Sequence, residues 1–246
     1  RTLMRAPKGQ NFLYQHDWLA RVAAAVGHGD DVLEIGGGPG GLTALLAGQS
    51  RRLWVAELDA ALAEGLRQQG FQVIEGDILE LDLSALAEKE GVERWQIAGN
   101  LPYYITSPIL LHLFRHAGRI ATATILVQRE VAERLAAIPG TRAFGLLTVT
   151  VQLYARVERL FDIPPGAFRP PPQVHSTLLR LTMAPQAAAL GVEEAPFLAF
   201  LRRGFAHKRK QLAGFLGDPA RAGLPAKARA EELSLADWAR LYHTLE

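Results

Sequence analysis

One motif in this chain indicates a more specific chemistry than any other, and it consists of the consecutive residues Asn100, Leu101, Pro102 and Tyr103. Proline fixes its own φ angle and favours an extended Leu101, so the Leu101 carbonyl can face a ligand beside the Asn100 carboxamide. These two oxygens could accept the two hydrogens of an exocyclic amine, while the Tyr103 ring could stack on an unpaired base. We interpret the set as a binding site for an extruded adenine; the alternative is a turn that exposes a tyrosine.

The chemistry of the adenine amine explains the need for two acceptors. The lone pair of N6 is delocalised into the ring, so the nitrogen is a poor nucleophile. Two acceptors favour a pyramidal nitrogen whose lone pair is directed at an electrophilic methyl group. Because the amine is already neutral, no strong general base is required. Catalysis would consist mainly of holding nitrogen and methyl carbon about 3–3.5 Å apart.

A glycine-rich segment could hold the methyl donor. Gly36, Gly38 and Gly41 follow a predicted strand and open a predicted helix, where glycine allows a sharp turn and close approach of the backbone to a ligand. Glu57, at the end of the next predicted strand, could accept both ribose hydroxyls of a nucleoside. The pattern is compatible with a dinucleotide site, with an S-adenosylmethionine site and with a purely structural turn.

Two carboxylates favour S-adenosylmethionine over a dinucleotide. Glu34 lies two residues before Gly36, where a negative charge would repel a pyrophosphate and could neutralise a cationic group. Asp77 follows the third predicted strand and could accept a hydrogen bond from an adenine amino group, with Ile78 packed on the ring. Taken alone, Asp77 is equally typical of a helix cap or a turn.

Alternating strands and helices position these residues. Apolar runs predict buried strands at 32–35, 53–56, 71–74, 96–98 and 124–127, and helical spacing predicts helices at 17–26, 42–47, 60–69 and 107–116. The first helix would have Asp17 as its N-cap and end at Gly27. We predict an α/β fold with a Rossmann-like parallel sheet, closed at one edge by an antiparallel pair from 145–155 and 174–182.

The character of the chain changes after residue 184. Residues 185–196 contain alanine, proline, glutamate and glycine and are typical of a linker, whereas residues 197–246 are helical in pattern. We therefore predict an S-adenosylmethionine-dependent methyltransferase domain at 1–184. A small helical RNA-binding domain would follow at 185–246.

The composition argues against several classes of protein. The 246 residues include no cysteine, and the seven histidines lack metal-ligand spacing, so neither a disulfide scaffold nor a metal site is expected. No apolar run approaches the roughly 18 residues of a membrane span, and residues 1–18 lack the apolar core of a signal peptide. We expect a monomeric cytoplasmic protein that does not bind membranes.

The net charge of +2 conceals an uneven distribution. Residues 57–93 contain ten acidic and two basic side chains, whereas residues 115–210 contain 14 basic and six acidic ones. If the basic side chains share a face, they would bind a polyanion. The densest basic run, interrupted by the aromatic Phe205, predicts contacts with RNA phosphates, the alternative being a solvated helix face. The run comprises Arg202, Arg203, Lys208, Arg209 and Lys210.

Seven motifs occur in the order of one known family. They are Lys8-Gly9-Gln10-Asn11-Phe12-Leu13, Glu34-Ile35-Gly36, Glu57-Leu58-Asp59, Gly76-Asp77, Asn100-Leu101-Pro102-Tyr103, Gln128-Arg129-Glu130-Val131 and Phe168-Arg169-Pro170-Pro171-Pro172-Gln173-Val174-His175-Ser176. In this order the chain resembles the KsgA family of small-subunit (16S) rRNA adenine N6-dimethyltransferases. The resemblance implies a class I methyltransferase sheet, the cofactor S-adenosylmethionine and a substrate of two adjacent adenosines. These lie in a hairpin loop near the 3′ end of 16S rRNA, within a partly assembled small ribosomal subunit.

The resemblance also assigns cofactor contacts to single residues. Asn11 and Leu13 would line the cofactor site, and Gly36 would approach the cofactor through its backbone. Glu57 would hold the ribose and Asp77 the adenine amine. Gly38, Ile78 and Asn100 complete the predicted cofactor contacts.

The remaining implied roles concern the target base. Asn100 would hold the target N6 together with the Leu101 carbonyl, and Tyr103 would stack on one face of the adenine. Phe168 matches a phenylalanine that covers the other face in related enzymes. The alternative for Phe168 is a core aromatic that anchors the proline-rich turn.

Two positions depart from the family pattern. The glycine loop usually reads Gly-Pro-Gly, whereas this chain has Gly36-Gly37-Gly38-Pro39-Gly40, with its proline later. The shift could change the stiffness of the loop. His175 stands where relatives often have aspartate, and we interpret it as a structural histidine.

Three other functions are compatible with part of the pattern. One is an Erm-type enzyme that methylates adenine in large-subunit rRNA, whose motifs are similar. Another is a non-catalytic assembly factor of the small subunit, against which the intact set from Asn100 to Tyr103 argues. The third is a nicotinamide-dependent dehydrogenase, which only the glycine motif supports.

Overall fold

The computed structural model describes residues 10–207 and 210–246, which divide into two compact units. One unit contains the chain up to Ala132 together with Glu158–Met183, and the other contains Glu133–Val157 and Ala184–Glu246. The predicted boundary after residue 184 stays a prediction. The structure groups Glu133–Val157, which the sequence prediction placed in the first domain, with the second unit.

Strands and helices alternate through the first half of the chain. The strands are β1 (Phe12–Leu13), β2 (Asp31–Ile35), β3 (Arg52–Glu57), β4 (Gln72–Glu75), β5 (Trp95–Asn100), β6 (Ile120–Gln128), β7 (Ala155–Ile163), β8 (Phe168–Arg169) and β9 (Ser176–Met183). The helices are α1 (His16–Val26), α2 (Gly41–Ala47), α3 (Ala60–Gln68), α4 (Leu83–Glu90), α5 (Thr106–Arg115), α6 (Arg129–Leu135), α7 (Leu146–Tyr154), α8 (Ala187–Leu190), α9 (Glu194–Phe205) and α10 (Leu235–Leu245).

A seven-stranded sheet forms the centre of the first unit, in the order β4-β3-β2-β5-β6-β9-β7. The pairings from β4 to β6 are parallel and the β6–β9 pairing is antiparallel. The five predicted strands correspond to β2 to β6, so the α/β prediction is confirmed. Because parallel strands connected by helices end at one edge of the sheet, the segments that follow β2, β3, β4 and β5 are brought together there.

Two arginines fix the opposite end of the sheet. The carboxylate of Asp31, the first residue of β2, is 1% exposed and accepts hydrogen bonds from the guanidinium groups of Arg51 and Arg52. These bonds hold the pKa of Asp31 far below its ordinary value. A buried carboxylate is tolerated here because both of its oxygens are charge-paired.

The predicted strand at residues 145–155 is wrong, because this run forms helix α7. Its valines and threonines favour a strand, but most of the helix is buried on all sides, and periodicity cannot distinguish a short buried helix from a strand. Thr148 accepts a hydrogen bond from the Gly145 amide and donates one to the Arg134 carbonyl, which supports the start of the helix. The edge strand is β7, which begins only at Ala155 and neighbours β9.

Other elements differ from the prediction in smaller ways. Helix α1 begins at His16 with Gln15 as its N-cap, so Asp17 lies in the first turn and is not the cap, whereas Gly27 ends the helix as predicted. The predicted linker at 185–196 contains α8 and the start of α9. No helix in the described part of the chain is long and apolar enough to cross a membrane.

Close packing of α9 on α10 leaves no room for a side chain at Gly204. A Cβ atom there would lie within 2.6 Å of Cζ3 of Trp238, whose side chain is fully buried. We expect Gly204→Ala to lower the free energy of unfolding by about 1–3 kcal/mol because the ring must shift. Chemical denaturation measures this loss. Gly214→Ala is the control, since a Cβ there meets nothing within 4 Å, and an equal loss in both variants would contradict the explanation.

Candidate active site

A cavity that is open to solvent lies at the carboxyl edge of the parallel strands, with about 750 Å³ of empty space when the part open to solvent is included. We call it the main cavity. It is lined by ten of the twelve predicted cofactor and target-base residues, and Leu13 and Phe168 are the two that do not line it. The ten are Asn11, Gly36, Gly38, Glu57, Asp77, Ile78, Asn100, Leu101, Pro102 and Tyr103.

The glycine loop forms one wall of the main cavity. Gly36 has a φ of +75° and donates its amide hydrogen to the Ala56 carbonyl at 2.8 Å. A Cβ at Gly36 would meet no protein atom within 4 Å, so the space beside this backbone is open to a ligand. Gly38 differs, because its Cβ would lie 2.8 Å from the Phe12 ring. The first glycine therefore leaves room for a bound group, and the second leaves room for the N-terminal segment.

Glu57 presents a fixed pair of acceptors at the end of β3. Its side chain is buried, and its two oxygens accept hydrogen bonds from the backbone amides of Gly38 and Asp59, each at 3.0 Å. A carboxylate oxygen has more than one acceptor site, so each can also accept a ligand hydroxyl. The geometry suits two adjacent hydroxyls, as in a ribose.

Asp77 and Ile78 follow β4 in a short turn. One carboxylate oxygen of Asp77 accepts the Leu79 amide at 2.9 Å, which is the capping role that the sequence left open as an alternative. The other oxygen accepts no hydrogen bond from the described residues and is free for an amino group. The Ile78 side chain is buried and offers an apolar contact for a ring.

The carboxamide of Asn100 is oriented by the N-terminal segment. Its Nδ2 donates a hydrogen bond to the Asn11 carbonyl at 2.7 Å, which leaves the amide oxygen as the acceptor for a ligand in the main cavity. The close approach of β5 to β2 also fixes this position, because a Cβ at Gly99 would lie 2.6 Å from the Ile35 carbonyl oxygen. The Leu101 amide then donates to the Leu126 carbonyl at 3.1 Å.

Strand β8 holds the N-terminal segment in place. Leu13 pairs with Phe168, and the Arg169 guanidinium lies 4.0 Å from the centre of the Tyr14 ring. Phe168 is 1% exposed within the core cluster and does not line the main cavity. This placement favours the alternative of a core aromatic, and the predicted role of the ring as a cover of the target base stays a prediction.

A second cavity, on the other side of the glycine loop, is lined by Glu34 and Leu13 and shares Phe12, Gly36 and Asn100 with the main cavity. Glu34 is 1% exposed, and its Oε2 has no hydrogen-bond partner among the described residues. Burial raises the pKa of Glu34 to about 7, and the nearby charge of Glu57 adds to this effect. A buried carboxyl oxygen without a partner suits a ligand that brings its own hydrogen-bond donor.

The raised pKa of Glu34 predicts a pH-dependent stability. The folded chain retains a proton that the unfolded chain loses near pH 4.5, so this contribution is complete below pH 4.5 and declines until about pH 7. Glu34→Gln cannot ionise, and we expect its melting temperature to rise relative to the wild type between pH 5 and pH 8. Thermal unfolding across this range measures the difference, and identical pH profiles for both chains would contradict the assignment.

The predicted RNA contacts are only partly within the described residues. Arg202 and Arg203 are exposed near the end of α9, where Arg203 bonds to Glu246 at 2.7 Å, and Lys210 is exposed. Phe205 is buried with its ring centre 5.3 Å from that of Trp238, so it is a core residue and contradicts the prediction of an aromatic ring on the basic face. Lys208 and Arg209 lie outside the described residues, as do Lys8 and Gly9.

The sequence analysis did not predict several residues that line the main cavity or contact its lining. Tyr104, Leu58 and Ile109 also line the main cavity, and Tyr104 is 64% exposed. The position of Tyr104 directly after the Asn100–Tyr103 set was the only signal for it. The Oγ of Ser176 lies 2.5 Å from the Tyr103 hydroxyl, and the only signal for this residue in the sequence was its place at the end of the proline-rich motif. No cluster of potential metal ligands occurs within residues 10–207 and 210–246.

Comparison with known proteins gives concordant results. The family model described as "Ribosomal RNA adenine dimethylase" matches residues 2–245. A protein of Acidobacterium capsulatum named "Ribosomal RNA small subunit methyltransferase A" is 48% identical, with 97% of this chain and 90% of that protein covered. A protein of Koribacter versatilis with the same name is 44% identical, with 98% and 94% covered.

Two solved structures resemble the whole chain. A dimethyladenosine transferase from Plasmodium falciparum superposes with a TM-score of 0.76 at 22% identity, covering 94% of this chain and 95% of that one. The 23S rRNA methyltransferase ErmE superposes with a TM-score of 0.73 at 26% identity, covering 96% and 99%. The first likeness supports the fold alone, because its sequence identity is low.

Proposed function

Because this chain belongs to the ribosomal RNA adenine dimethylase family, it is an rRNA adenine dimethyltransferase that uses S-adenosylmethionine, and we propose that it acts on the small subunit. The proposed substrate is a pair of adjacent adenosines in a hairpin loop near the 3′ end of 16S rRNA, within a partly assembled subunit. The observation that carries the chemistry is the hydrogen bond from Nδ2 of Asn100, a residue that lines the main cavity, to the Asn11 carbonyl, because this bond leaves the carboxamide oxygen as the acceptor.

The two cavities, which share three lining residues, fit the parts of S-adenosylmethionine. Glu57 would hold the ribose hydroxyls, and Asp77 and Ile78 would hold the adenine. The open space beside Gly36 accommodates the centre of the molecule, and the unpaired Oε2 of Glu34 suits the amino group at its other end. Leu13, which lines the second cavity, would contact that end through the N-terminal segment.

The cofactor supplies a methyl group on a positively charged sulfur, and the protein supplies alignment. The Asn100 amide oxygen and the Leu101 carbonyl would accept the two N6 hydrogens of the flipped adenine and direct its lone pair towards the cofactor side. Tyr103 would support the ring by stacking. Burial raises the pKa of Tyr103, so its hydroxyl stays neutral and does not act as a base. Catalysis then depends on proximity and orientation.

The relatives named for the small subunit favour the 16S substrate over the 23S substrate named for ErmE.

The exposed Arg202, Arg203 and Lys210 would contribute phosphate contacts, which weaken as salt concentration rises. A ribosomal substrate would place the reaction in the cytoplasm. We propose that the chain acts as a monomer.

The test is methylation of purified ribosomal subunits that lack the modification. Small and large subunits are incubated separately with this protein and isotopically labelled S-adenosylmethionine, and the rRNA is analysed by mass spectrometry. We expect two N6,N6-dimethyladenosines near the 3′ end of 16S rRNA and no label in 23S rRNA. Label confined to 23S rRNA would overturn the proposed substrate, and binding without transfer would favour an assembly factor.

A further inference from the structure

The ring of Tyr103 is fixed at its hydroxyl end. Tyr103 begins a short 3₁₀ turn and lines the main cavity, while its Oη lies 2.5 Å from the Oγ of Ser176. Ser176 is fully buried, and its hydroxyl has no access to water. The two residues are 73 positions apart in the sequence, so only the folded sheet brings them together. The bond restricts rotation of the ring about its side-chain torsions.

The sheet determines the position of Ser176. It is the first residue of β9 and pairs with Gln128 at the end of β6. The preceding residue, His175, accepts the Arg129 amide at 3.0 Å through its carbonyl. The backbone of Ser176 is therefore held by the sheet. A hydroxyl on such a rigid backbone is suited to fixing the position of the Tyr103 ring.

The same strand also positions the target-base site. On the other side of β6, Asn100 pairs with Leu126, two residues before Gln128. Strand β6 thus aligns Asn100 directly, and it aligns Tyr103 through Ser176. The proline-rich segment leads directly into β9, so its path determines where Ser176 meets the Tyr103 ring.

We propose that Ser176 is a positioning residue that holds the Tyr103 ring at the angle needed to stack on the target adenine. This rests on the proposed function, because without a flipped adenine there is nothing for the ring to support. A free ring would broaden the range of base orientations. Fewer complexes would then hold the N6 lone pair in line with the methyl group. The second transfer would suffer more than the first, because monomethylated N6 has only one hydrogen left to bond.

The experiment compares Ser176→Ala with Tyr103→Phe and the double variant on undermethylated small subunits. We expect kcat to fall about five- to tenfold in either single variant, the scale of one lost hydrogen bond. The Kd for S-adenosylhomocysteine should stay within twofold. The double variant should be no slower than the single ones, because each change removes the same bond. The ratio of monomethyl to dimethyl product should rise in all three.

Thr177→Val provides a matched control for loss of a buried hydroxyl. Thr177 is the next residue of β9, fully buried, and donates a hydrogen bond to Asp162 at 2.6 Å, away from Tyr103. It should lower the melting temperature while leaving kcat and the product ratio unchanged. If Ser176→Ala behaves like this control, Ser176 has only a structural role and the proposal is wrong. If the wild-type chain leaves small subunits unmethylated, the proposed substrate is wrong. The role of Ser176 is then also wrong, because it depends on that substrate.

Discussion

Replacement of Asn100 by alanine is expected to lower kcat by about 100- to 1000-fold, the usual effect of removing one pre-oriented hydrogen-bonding group from a catalytic site. The carboxamide oxygen would hold the reacting amine, and alanine removes this oxygen together with the Nδ2 group that bonds to the Asn11 carbonyl. Stability should change little, because the Asn11 carbonyl that accepts from Asn100 lies beside a cavity that can admit water. Single-turnover methylation of small subunits measures the effect directly.

The Asn100→Asp variant tests whether catalysis needs an oriented carboxamide or only a side chain of the same size at this position. The carboxylate keeps the size of the side chain, but it cannot donate to the Asn11 carbonyl and would repel it. We expect this variant to be as slow as Asn100→Ala, although its negative charge would attract the cationic cofactor. Activity within tenfold of the wild type in either variant would refute the catalytic role of Asn100.

Replacement of Glu57 by alanine is expected to raise the Kd for S-adenosylhomocysteine by about 100-fold. Two hydrogen bonds from ribose hydroxyls to a buried carboxylate would be lost, and such charge-assisted bonds contribute about 1.5–3 kcal/mol each before water replaces them. The variant also deprives the amides of Gly38 and Asp59 of their acceptor, so the glycine loop should loosen. Isothermal titration calorimetry gives the affinity.

A control must separate this loosening from the lost ligand contact. Asp59→Ala removes the N-cap of α3, where the carboxylate accepts the amides of Ala61 and Leu62. It should cost about 1 kcal/mol of stability but leave cofactor affinity within a few-fold of the wild type. If Asp59→Ala weakens cofactor binding as much as Glu57→Ala does, the loss in both variants comes from a loosened segment after β3 and not from a lost ribose contact.

The parallel strands and the glycine loop could be predicted because their signals are local. Each of the first four predicted strands is a short apolar run, and its end is marked by glycine, asparagine or an acidic residue. In a parallel sheet such strand ends share one edge, so Glu57, Asp77 and Asn100 could be expected at one cavity from the chain order alone. The structure confirms this grouping.

The predictions that the structure does not support concern residues whose surroundings come from distant parts of the chain. The run at 145–155 has the composition of a strand, but within the second unit it packs as a buried helix. Phe168 and Phe205 carry no local sign of whether an aromatic ring faces a ligand or the core. Both prove to be core residues, because neighbours far away in sequence cover them.

The sequence by itself determined which chemical groups are present and on which strand ends they lie. Backbone preferences and hydrophobic periodicity operate over a few residues, so they can be read without the fold. Only the tertiary structure decided how those groups are oriented. Asn100 is aligned by a carbonyl 89 residues away, and Tyr103 by a hydroxyl 73 residues away. Such contacts depend on the packing of whole elements, because a hydrogen bond forms only when both partners are held within about 3 Å.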